Sequence, residues 1–223
     1  MNAIGQSENF FDTTDRFLKQ YVDEGKVDYK SLVNNRSLLD SLIVGVSQMN
    51  LNDSSDAFKK AFYIDSYNLL VIKGVLDNYP ISSPLDVKGF FKEKKQIVAN
   101  TEMTLDELEF GVLFNLYRDL RFHFVLNCGA KSCPTLFSRA IRPDGLESQL
   151  NFSTIMVMDR DDFVLIDYAN DKVIVSRIFE WYRDMFEDGG TTIRRFINDH
   201  RFETLPSGYE IVFDEYDWRL NQL

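Results

Sequence analysis

The sequence predicts an α+β protein, a single domain in which helices pack on a small, mainly antiparallel sheet. Much of the first two thirds of the chain has apolar residues recurring every three or four positions, as in amphipathic helices. The last third contains short β-branched runs separated by turn residues, the pattern of a hairpin. No repeat, low-complexity segment or linker interrupts the 223 residues. One domain over 1–223, with 1–12 as a loose N-terminal tail, is the economical interpretation.

Four helices are predicted within the first 118 residues. A turn at Gly25 separates the first two, and Pro80 limits the third because proline cannot continue a helix. Thr104 and Glu107 form the capping box that starts the fourth. These helices are predicted to span residues 10–22, 29–49, 56–78 and 105–118.

A strand over 121–128 is predicted next, because FHFVLNC is rich in aromatic and β-branched residues and the following GAKS breaks it. The elements predicted after it are a helix from Asp144 to about Met158, a hairpin of 161–168 and 171–176, a helix capped by Ser176, a short helix over 191–200 and a strand over 209–218. Helix and antiparallel strand content of this kind is compatible, by analogy, with papain-like or transglutaminase-like folds.

The composition disfavours several functions. The 25 basic and 35 acidic residues give a net charge of −10, which disfavours nucleic-acid binding because that binding needs Lys and Arg to neutralise phosphates. No apolar run approaches the ~20 residues of a membrane span. No signal peptide is visible, and both a cytoplasmic and an exported, trimmed protein stay open. Two cysteines with one histidine nearby lack a usual zinc spacing, and no phosphate-cradling glycine motif occurs, so we expect neither metal nor cofactor.

The candidate site lies in the segment RFHFVLNCGAKSCP, residues 121–134, which holds both cysteines of the chain. On a strand, alternate side chains share a face. One predicted face is apolar and places Cys128 in the core, while Cys133 follows on the loop. The opposite predicted face carries Arg121, His123, Val125 and Asn127.

Three further polar residues fall on the apolar stripes of predicted helices. Asp65 and Asn68 lie on the stripe of the third helix, and Glu109 lies on that of the fourth. Burying such groups without a partner is costly, so we expect both carboxylates to be hydrogen-bonded in one cluster with His123 or Arg121. Two other interpretations stay open, namely hydrogen bonds that serve only the core and a glutamate that reaches solvent at the stripe edge.

The motifs GKVDYKSL, AFYIDSYNLLVIKGVL, NYPI, LDELEF, RFHFVLNCGAKSCPTL, IFEWYRDMF and EYDWRLN together resemble DUF547, a bacterial and plant family without a settled activity. The resemblance runs from about Asp15 to Asn221. This chain has Asp65 where the family pattern implies Asn, and Phe110 where a histidine is frequent, which disfavours a mechanism with two imidazoles. The resemblance implies roles for Asn68, Glu109, His123, Cys128, Ser132 and Cys133.

One hypothesis for the site is a cysteine-dependent hydrolase or acyl-transfer enzyme. Cys133 is the predicted nucleophile, since a helical turn starting at Pro134 would lower the pKa of its thiol. His123 is the predicted base. The predicted orienting group is Glu109 or Asp65, and the predicted oxyanion donors are Asn68 or Asn127.

Two other hypotheses stay open. The same cleft could be a non-catalytic module that binds a small molecule or a peptide through a polar pocket. The candidate binding residues are Asp65, Tyr67, Arg121, Asn127 and Ser132. In the third hypothesis the segment is purely structural, and Cys133 is an ordinary loop thiol or the disulfide partner of Cys128, a bridge that implies an oxidising compartment.

Overall fold

A computed structural model describes the backbone of residues 3–223 and the side chains of 10–188 and 190–223. It confirms the predicted α+β class. The α-helices are α1 (Ala3–Tyr21), α2 (Tyr29–Asn34), α3 (Ser37–Gln48), α4 (Asp56–Leu76), α5 (Asn115–Tyr117), α6 (Leu146–Met158), α7 (Ile178–Trp181), α8 (Arg183–Glu187) and α9 (Ile193–Asp199). A π-helix spans Glu107–Phe114, and short 3₁₀ helices span Pro84–Asp86, Leu120–Phe124 and Asp188–Gly190.

The strands form three small sheets. They are β1 (Val22–Asp23), β2 (Lys26–Val27), β3 (Lys95–Val98), β4 (Thr101–Thr104), β5 (Val164–Asp167), β6 (Lys172–Val175) and β7 (Glu210–Phe213). The pairs β1–β2, β3–β4 and β5–β6 are antiparallel, and β7 adds to β6 in parallel. The analogy with papain-like or transglutaminase-like folds stays a prediction.

The chain divides into two compact units. The first contains the described residues up to Leu146 together with Trp218–Leu223, and the second contains Glu147–Asp217. Folding as a single domain stays a prediction. The candidate site lies wholly in the first unit.

Helix α4 forms the centre of the first unit. The Ser55 side chain caps its start by accepting the backbone N–H of Phe58 at 3.2 Å. From Ala61 to Ile72 the helix is buried at every position except Tyr63. A helix that is buried nearly all round has no solvent face for polar side chains, so its polar residues need partners inside the protein.

The single helix predicted over 29–49 is wrong, because the structure has α2 and α3 separated at Asn35 and Arg36. The Asn35 side chain donates to the carbonyl of Ser31 at 2.9 Å, while its backbone N–H donates to Leu32. Asparagine competes in this way for backbone groups that a continuing helix would use.

The capping box of the fourth predicted helix is confirmed. Thr104 donates its N–H to the Glu107 carboxylate at 2.8 Å, and the Thr104 hydroxyl accepts the N–H of Glu107 at 3.1 Å. The winding that follows is π rather than α, which shifts each later residue around the helix axis. Leu116 is therefore 62% exposed, whereas Leu113 and Phe114 are buried.

The strand predicted over 121–128 is wrong. The carboxylate of Asp119 accepts the backbone N–H of Arg121 at 3.0 Å, which starts a 3₁₀ turn over Leu120–Phe124. The predicted alternation of faces is therefore lost, and residues 122–127 are all buried.

The second unit is built around β5, β6 and β7 with α6 to α9. The hydroxyl of Ser176 accepts the N–H of Ile178 at 3.4 Å, but the N-cap residue of α7 is Arg177 and not Ser176 as predicted. The apolar centre of this unit is an aromatic cluster formed by Phe163, Phe179, Phe186 and Phe196.

Candidate functional site

Two asparagines attach the cysteine loop, residues 127–134, to α4. Asn68 donates from its amide nitrogen to the carbonyl of Val125 at 2.9 Å, and its amide oxygen accepts the N–H of Asn127 at 2.8 Å. Asn127 in turn donates to the carbonyl of Pro134 at 2.8 Å and accepts the N–H of Gly129 at 2.9 Å. Asn68 and Asn127 are the two predicted oxyanion donors, and the hydrogen bonds seen for them position the loop backbone.

The cysteine loop is closed by a disulfide between Cys128 and Cys133, whose Cα atoms are 6.1 Å apart. Cys133 is only 3% exposed, while Cys128 is half-buried. The prediction that Cys128 lies in the core is therefore wrong, and Cys133 is the more buried of the two cysteines. That prediction depended on strand alternation through residue 128, which the 3₁₀ turn removes.

Backbone amides point at the sulfur of Cys133. Its Sγ accepts the N–H of Cys128 at 3.0 Å and the N–H of Ala130 at 3.4 Å. The helical turn predicted at Pro134 does not form, because the chain stays irregular until α6 begins at Leu146. The electropositive groups near this sulfur are therefore two loop amides and not a helix terminus.

Gly129 allows the loop to bring these amides together. Its φ of +81° lies in the left-handed region, which favours glycine. A Cβ at this position would lie 3.2 Å from Pro84 and 3.3 Å from Val71, closer than most side-chain contacts. The site therefore needs glycine for both its conformation and its packing.

The C-terminal segment supports the loop from the other side. The carbonyl of Gly129 accepts the N–H of Asn221 at 2.8 Å, and Lys131 donates its N–H to the carbonyl of Arg219 at 2.9 Å. Ala130 and Leu220 form an antiparallel bridge between these bonds. Hydrogen bonds that do not involve the disulfide thus hold the loop on two sides.

His123 is buried on the 3₁₀ turn that precedes the loop. Its ring stacks on Phe114 of the π-helix, with centroids 4.2 Å apart. Burial lowers the pKa of His123 to about 3, because the charged imidazolium would lose its hydration. The imidazole is therefore neutral near pH 7.

Glu109 and Tyr67 form a hydrogen-bonded polar pair in the first unit. Burial raises the pKa of Glu109 to about 7, although a hydrogen bond from Tyr67 favours the carboxylate; nearby Asp106 adds a smaller increase. Glu109 lies on the π-helix, a conformation that is frequent at functional sites. A carboxyl group with this pKa can either donate or accept a proton near neutral pH.

Asp65 has different partners from Glu109. The Asp65 side chain, 2% exposed, accepts the N–H of Ile141 at 3.0 Å, and neighbouring Ala140 donates its N–H to Asp15 at 3.1 Å. Burial raises the pKa of Asp65 well above its usual range, against the opposing effects of the Ile141 bond and the Arg142 charge. Asp65 is buried as predicted, whereas Glu109 is half-buried, and the hydrogen bonds seen for the two carboxylates go to separate groups, Ile141 and Tyr67.

The two remaining predicted binding residues also have defined places. Arg121 forms an ion pair with Asp119, 2.6 Å between Nη2 and Oδ2, in the turn that leads to His123. Ser132 is half-buried in the turn between the cysteines.

Sequence reasoning missed Asp119 and the amides of Cys128 and Ala130. The Asn127-Cys128-Gly129 order was a usable signal, because asparagine often accepts the N–H of the residue two positions later.

Two general properties of the described residues bear on function. Within residues 3–223, no helix is long and apolar enough to cross a membrane. Among the side chains that the structure describes, no group of three or more His, Cys, Asp or Glu residues is arranged to hold a metal ion.

The fold and the site define a class of protein, an α+β protein with a disulfide-closed loop attached to a buried central helix. Residues 51–155 match the family described as "Protein of unknown function, DUF547". The resemblance predicted from the motifs is confirmed for these residues, and its extension to the rest of the chain stays a prediction. Comparison with curated proteins and with solved structures found no match.

Proposed function

We propose that the protein is a cysteine-dependent hydrolase or acyl-transfer enzyme that uses Cys133 as its nucleophile once the bridge to Cys128 is reduced. One observation carries this proposal: the Sγ atom of Cys133 accepts the backbone N–H groups of Cys128 and Ala130. Amide dipoles directed at a sulfur stabilise its thiolate, and the thiolate is the reactive form of cysteine.

The arrangement should survive reduction. Asn127 and the 219–221 segment hold the loop by hydrogen bonds that do not pass through the disulfide. The two amides therefore stay in place for a thiolate at Cys133. A purely structural disulfide needs no such donors, which favours thiol chemistry over the structural hypothesis.

In this proposal the amides, and not an imidazolium, stabilise the thiolate. Burial keeps His123 neutral near pH 7, and a pKa of about 3 makes it a weak base, so formation of the thiolate depends on the two amides. Glu109, with a pKa of about 7 and a bond from Tyr67, is the group that exchanges protons with the substrate or leaving group. The substrate class is a small molecule or peptide with an acyl group.

The alternative is a non-catalytic module that binds a small molecule or peptide in the same region. The disulfide itself favours this second function in an oxidising compartment, since it removes both thiols from reaction. Tyr67, Glu109 and Ser132 then supply polar contacts to the ligand, and Cys133 has no chemical role.

A matched pair of variants tests the proposal. Cys128→Ser leaves Cys133 as a single thiol and keeps the N–H of residue 128, whereas Cys133→Ser leaves only Cys128. Iodoacetamide labelling against pH should give Cys133 a pKa well below the usual value of about 8.5, and Cys128 a pKa near or above it. Treatment with p-nitrophenyl acetate should acylate Cys133 faster than Cys128, as measured by the mass of each protein.

Two outcomes would contradict the proposed enzymatic function. One is a Cys133 thiol that titrates at about 8.5 or higher, as an unperturbed thiol does. The other is acylation that is equally slow in both variants, even though circular dichroism shows that both are folded. Either result leaves the binding module as the better hypothesis.

A further inference from the structure

The two cysteines of the disulfide differ in exposure to solvent. Cys128 is half-buried, whereas Cys133 is only 3% exposed. Thiol–disulfide exchange proceeds by attack of a thiolate on one sulfur, and access is one of the factors that decide which sulfur is attacked. An external thiol therefore meets Cys128 first.

The two sulfurs also differ in the outcome of such an attack. If Cys128 is attacked, the electron pair of the broken bond leaves on Cys133, where two backbone N–H groups are already 3.0 Å and 3.4 Å from Sγ. A stabilised thiolate is the better leaving group, so exchange through this direction is faster. Access and leaving-group stability thus favour the same direction.

We propose that the loop is a thiol–disulfide exchange site at which an external thiol attacks Cys128 and releases Cys133 as a thiolate. The incoming thiolate forms a new S–S bond to Sγ of Cys128, while the Cys128–Cys133 bond breaks. A second thiol then attacks the sulfur of the first reductant molecule. It releases Cys128 as a thiolate, which takes up a proton. The protein disulfide gains two electrons, and the two external thiols are oxidised to a disulfide.

The exchange goes beyond the proposed acyl chemistry, because it depends only on the loop and holds whether or not Cys133 later attacks an acyl group. It also assigns different tasks to the two cysteines. Cys128 carries the mixed disulfide, and Cys133 is the leaving group and, in the reverse direction, the residue that closes the bridge. The partner is a thiol or dithiol, of low molecular weight or in a protein.

Peptide mapping of the oxidised full-length protein tests this assignment. The protein is treated at neutral pH with reduced glutathione as the monothiol, quenched with acid, and alkylated. Trypsin cuts after Lys131, so the cysteines fall into separate peptides, residues 122–131 and 132–139. We expect glutathione on Cys128 and the alkyl group on Cys133, with at least about tenfold selectivity, the size that a difference of 1.4 kcal/mol gives.

The same protein unfolded in urea is the matched control. Unfolding removes both the difference in access and the two amide donors, so glutathione should then distribute over both cysteines. Glutathione mainly on Cys133 in the folded protein would overturn the proposal, as would equal selectivity before and after unfolding. So would a bridge that glutathione opens only in urea. These readouts are independent of acylation, so failure of the acyl-transfer proposal is distinguishable from failure of the exchange site.

Discussion

The amide oxygen of Asn68 accepts the backbone N–H of Asn127 at 2.8 Å, which ties the middle of α4 to the start of the cysteine loop. The amide nitrogen of Asn68 also donates to the carbonyl of Val125, so one side chain satisfies two backbone groups of a buried segment. Asn127 continues the chain of bonds to Gly129 and Pro134. The position of the Cys133 sulfur therefore depends on a residue that is distant in sequence.

Replacing Asn68 by Asp should test this dependence. The variant keeps the acceptor for Asn127 but loses the donor to Val125, and it places a carboxylate oxygen against a carbonyl oxygen in a buried site. We expect the free energy of unfolding to fall by about 3 kcal/mol, measured by urea denaturation. Asn78→Asp is the matched control, because Asn78 donates to the carbonyl of Gly74 from an exposed position just beyond the end of α4. An equal loss in both variants would contradict the role of Asn68.

Local sequence patterns predicted much of the first unit, but they did not predict the geometry of the candidate site. The capping box at Thr104 and the burial of Asp65 and Asn68 each depend on residue spacing inside a single helix. Spacing alone therefore predicted them. The turn at Asp119 replaced a predicted strand because one carboxylate bonds the backbone two residues later, and aromatic content cannot reveal that bond. The two amides at the Cys133 sulfur depend on the irregular conformation of the loop, and the support from residues 219–221 depends on contacts between distant segments. A single sequence shows neither.

Replacing Asp65 by Asn should stabilise the protein near neutral pH. Burial raises the folded-state pKa of Asp65, so the folded protein keeps a proton that the unfolded chain releases above about pH 4. Stability contributed by this group is therefore lost as pH rises towards the folded-state pKa, at up to about 1.4 kcal/mol per pH unit. Asparagine retains an oxygen for the N–H of Ile141 and has no proton to lose. Urea denaturation at several pH values should show a flatter profile for the variant.

Asp28→Asn is the control for Asp65→Asn, because titration of Asp28 changes the stability of the fold with pH in the opposite direction. Asp28 caps α2, and its hydrogen bonds with Ser31 lower its pKa, so its contribution is present above about pH 4 and lost on acidification. Asparagine also caps helices, so the local structure should persist. A wild-type profile that Asp65→Asn leaves unchanged would contradict the assignment of a raised pKa to Asp65.

Replacing His123 by Phe should reduce the sensitivity of the fold to acid. The pKa of His123 falls to about 3 on folding, so below about pH 6.5 the unfolded chain binds a proton that the folded protein does not. Stability is then lost as pH falls, by up to about 5 kcal/mol over the whole interval. Phenylalanine keeps the ring that stacks on Phe114 and removes the titration.

The comparison for His123 is thermal or urea unfolding at about pH 7 and about pH 4.5, on either side of the ordinary histidine pKa. His200→Phe is the matched control, since the His200 ring also packs on a phenylalanine, Phe196, and this variant keeps His123. We expect His123→Phe to lose less stability on acidification than His200→Phe. The reverse order would contradict the lowered pKa of His123 in the folded protein.

Replacing Tyr67 by Phe should raise the pKa of Glu109 above its value of about 7. Burial is the main cause of the raised pKa, and the hydrogen bond from Tyr67 partly offsets it by stabilising the carboxylate. Removing the hydroxyl leaves burial unopposed. The titration can be followed by the carboxyl carbon resonances of protein labelled at glutamate, with Glu109→Gln identifying the signal that belongs to Glu109.

Tyr63→Phe on the same helix is the control for Tyr67, because the Tyr63 ring is half-buried and packs against Phe62. It should leave the Glu109 titration in place. The stability profile gives a second readout: a raised folded-state pKa means that stability is lost as pH rises from about 4.5 towards the folded-state pKa. Tyr67→Phe should extend that loss to higher pH, and Glu109→Gln should abolish it. A Glu109 signal that stays near pH 7 in Tyr67→Phe would mean that the phenol does not stabilise the carboxylate, and the proton-exchange role of this pair would be lost with it.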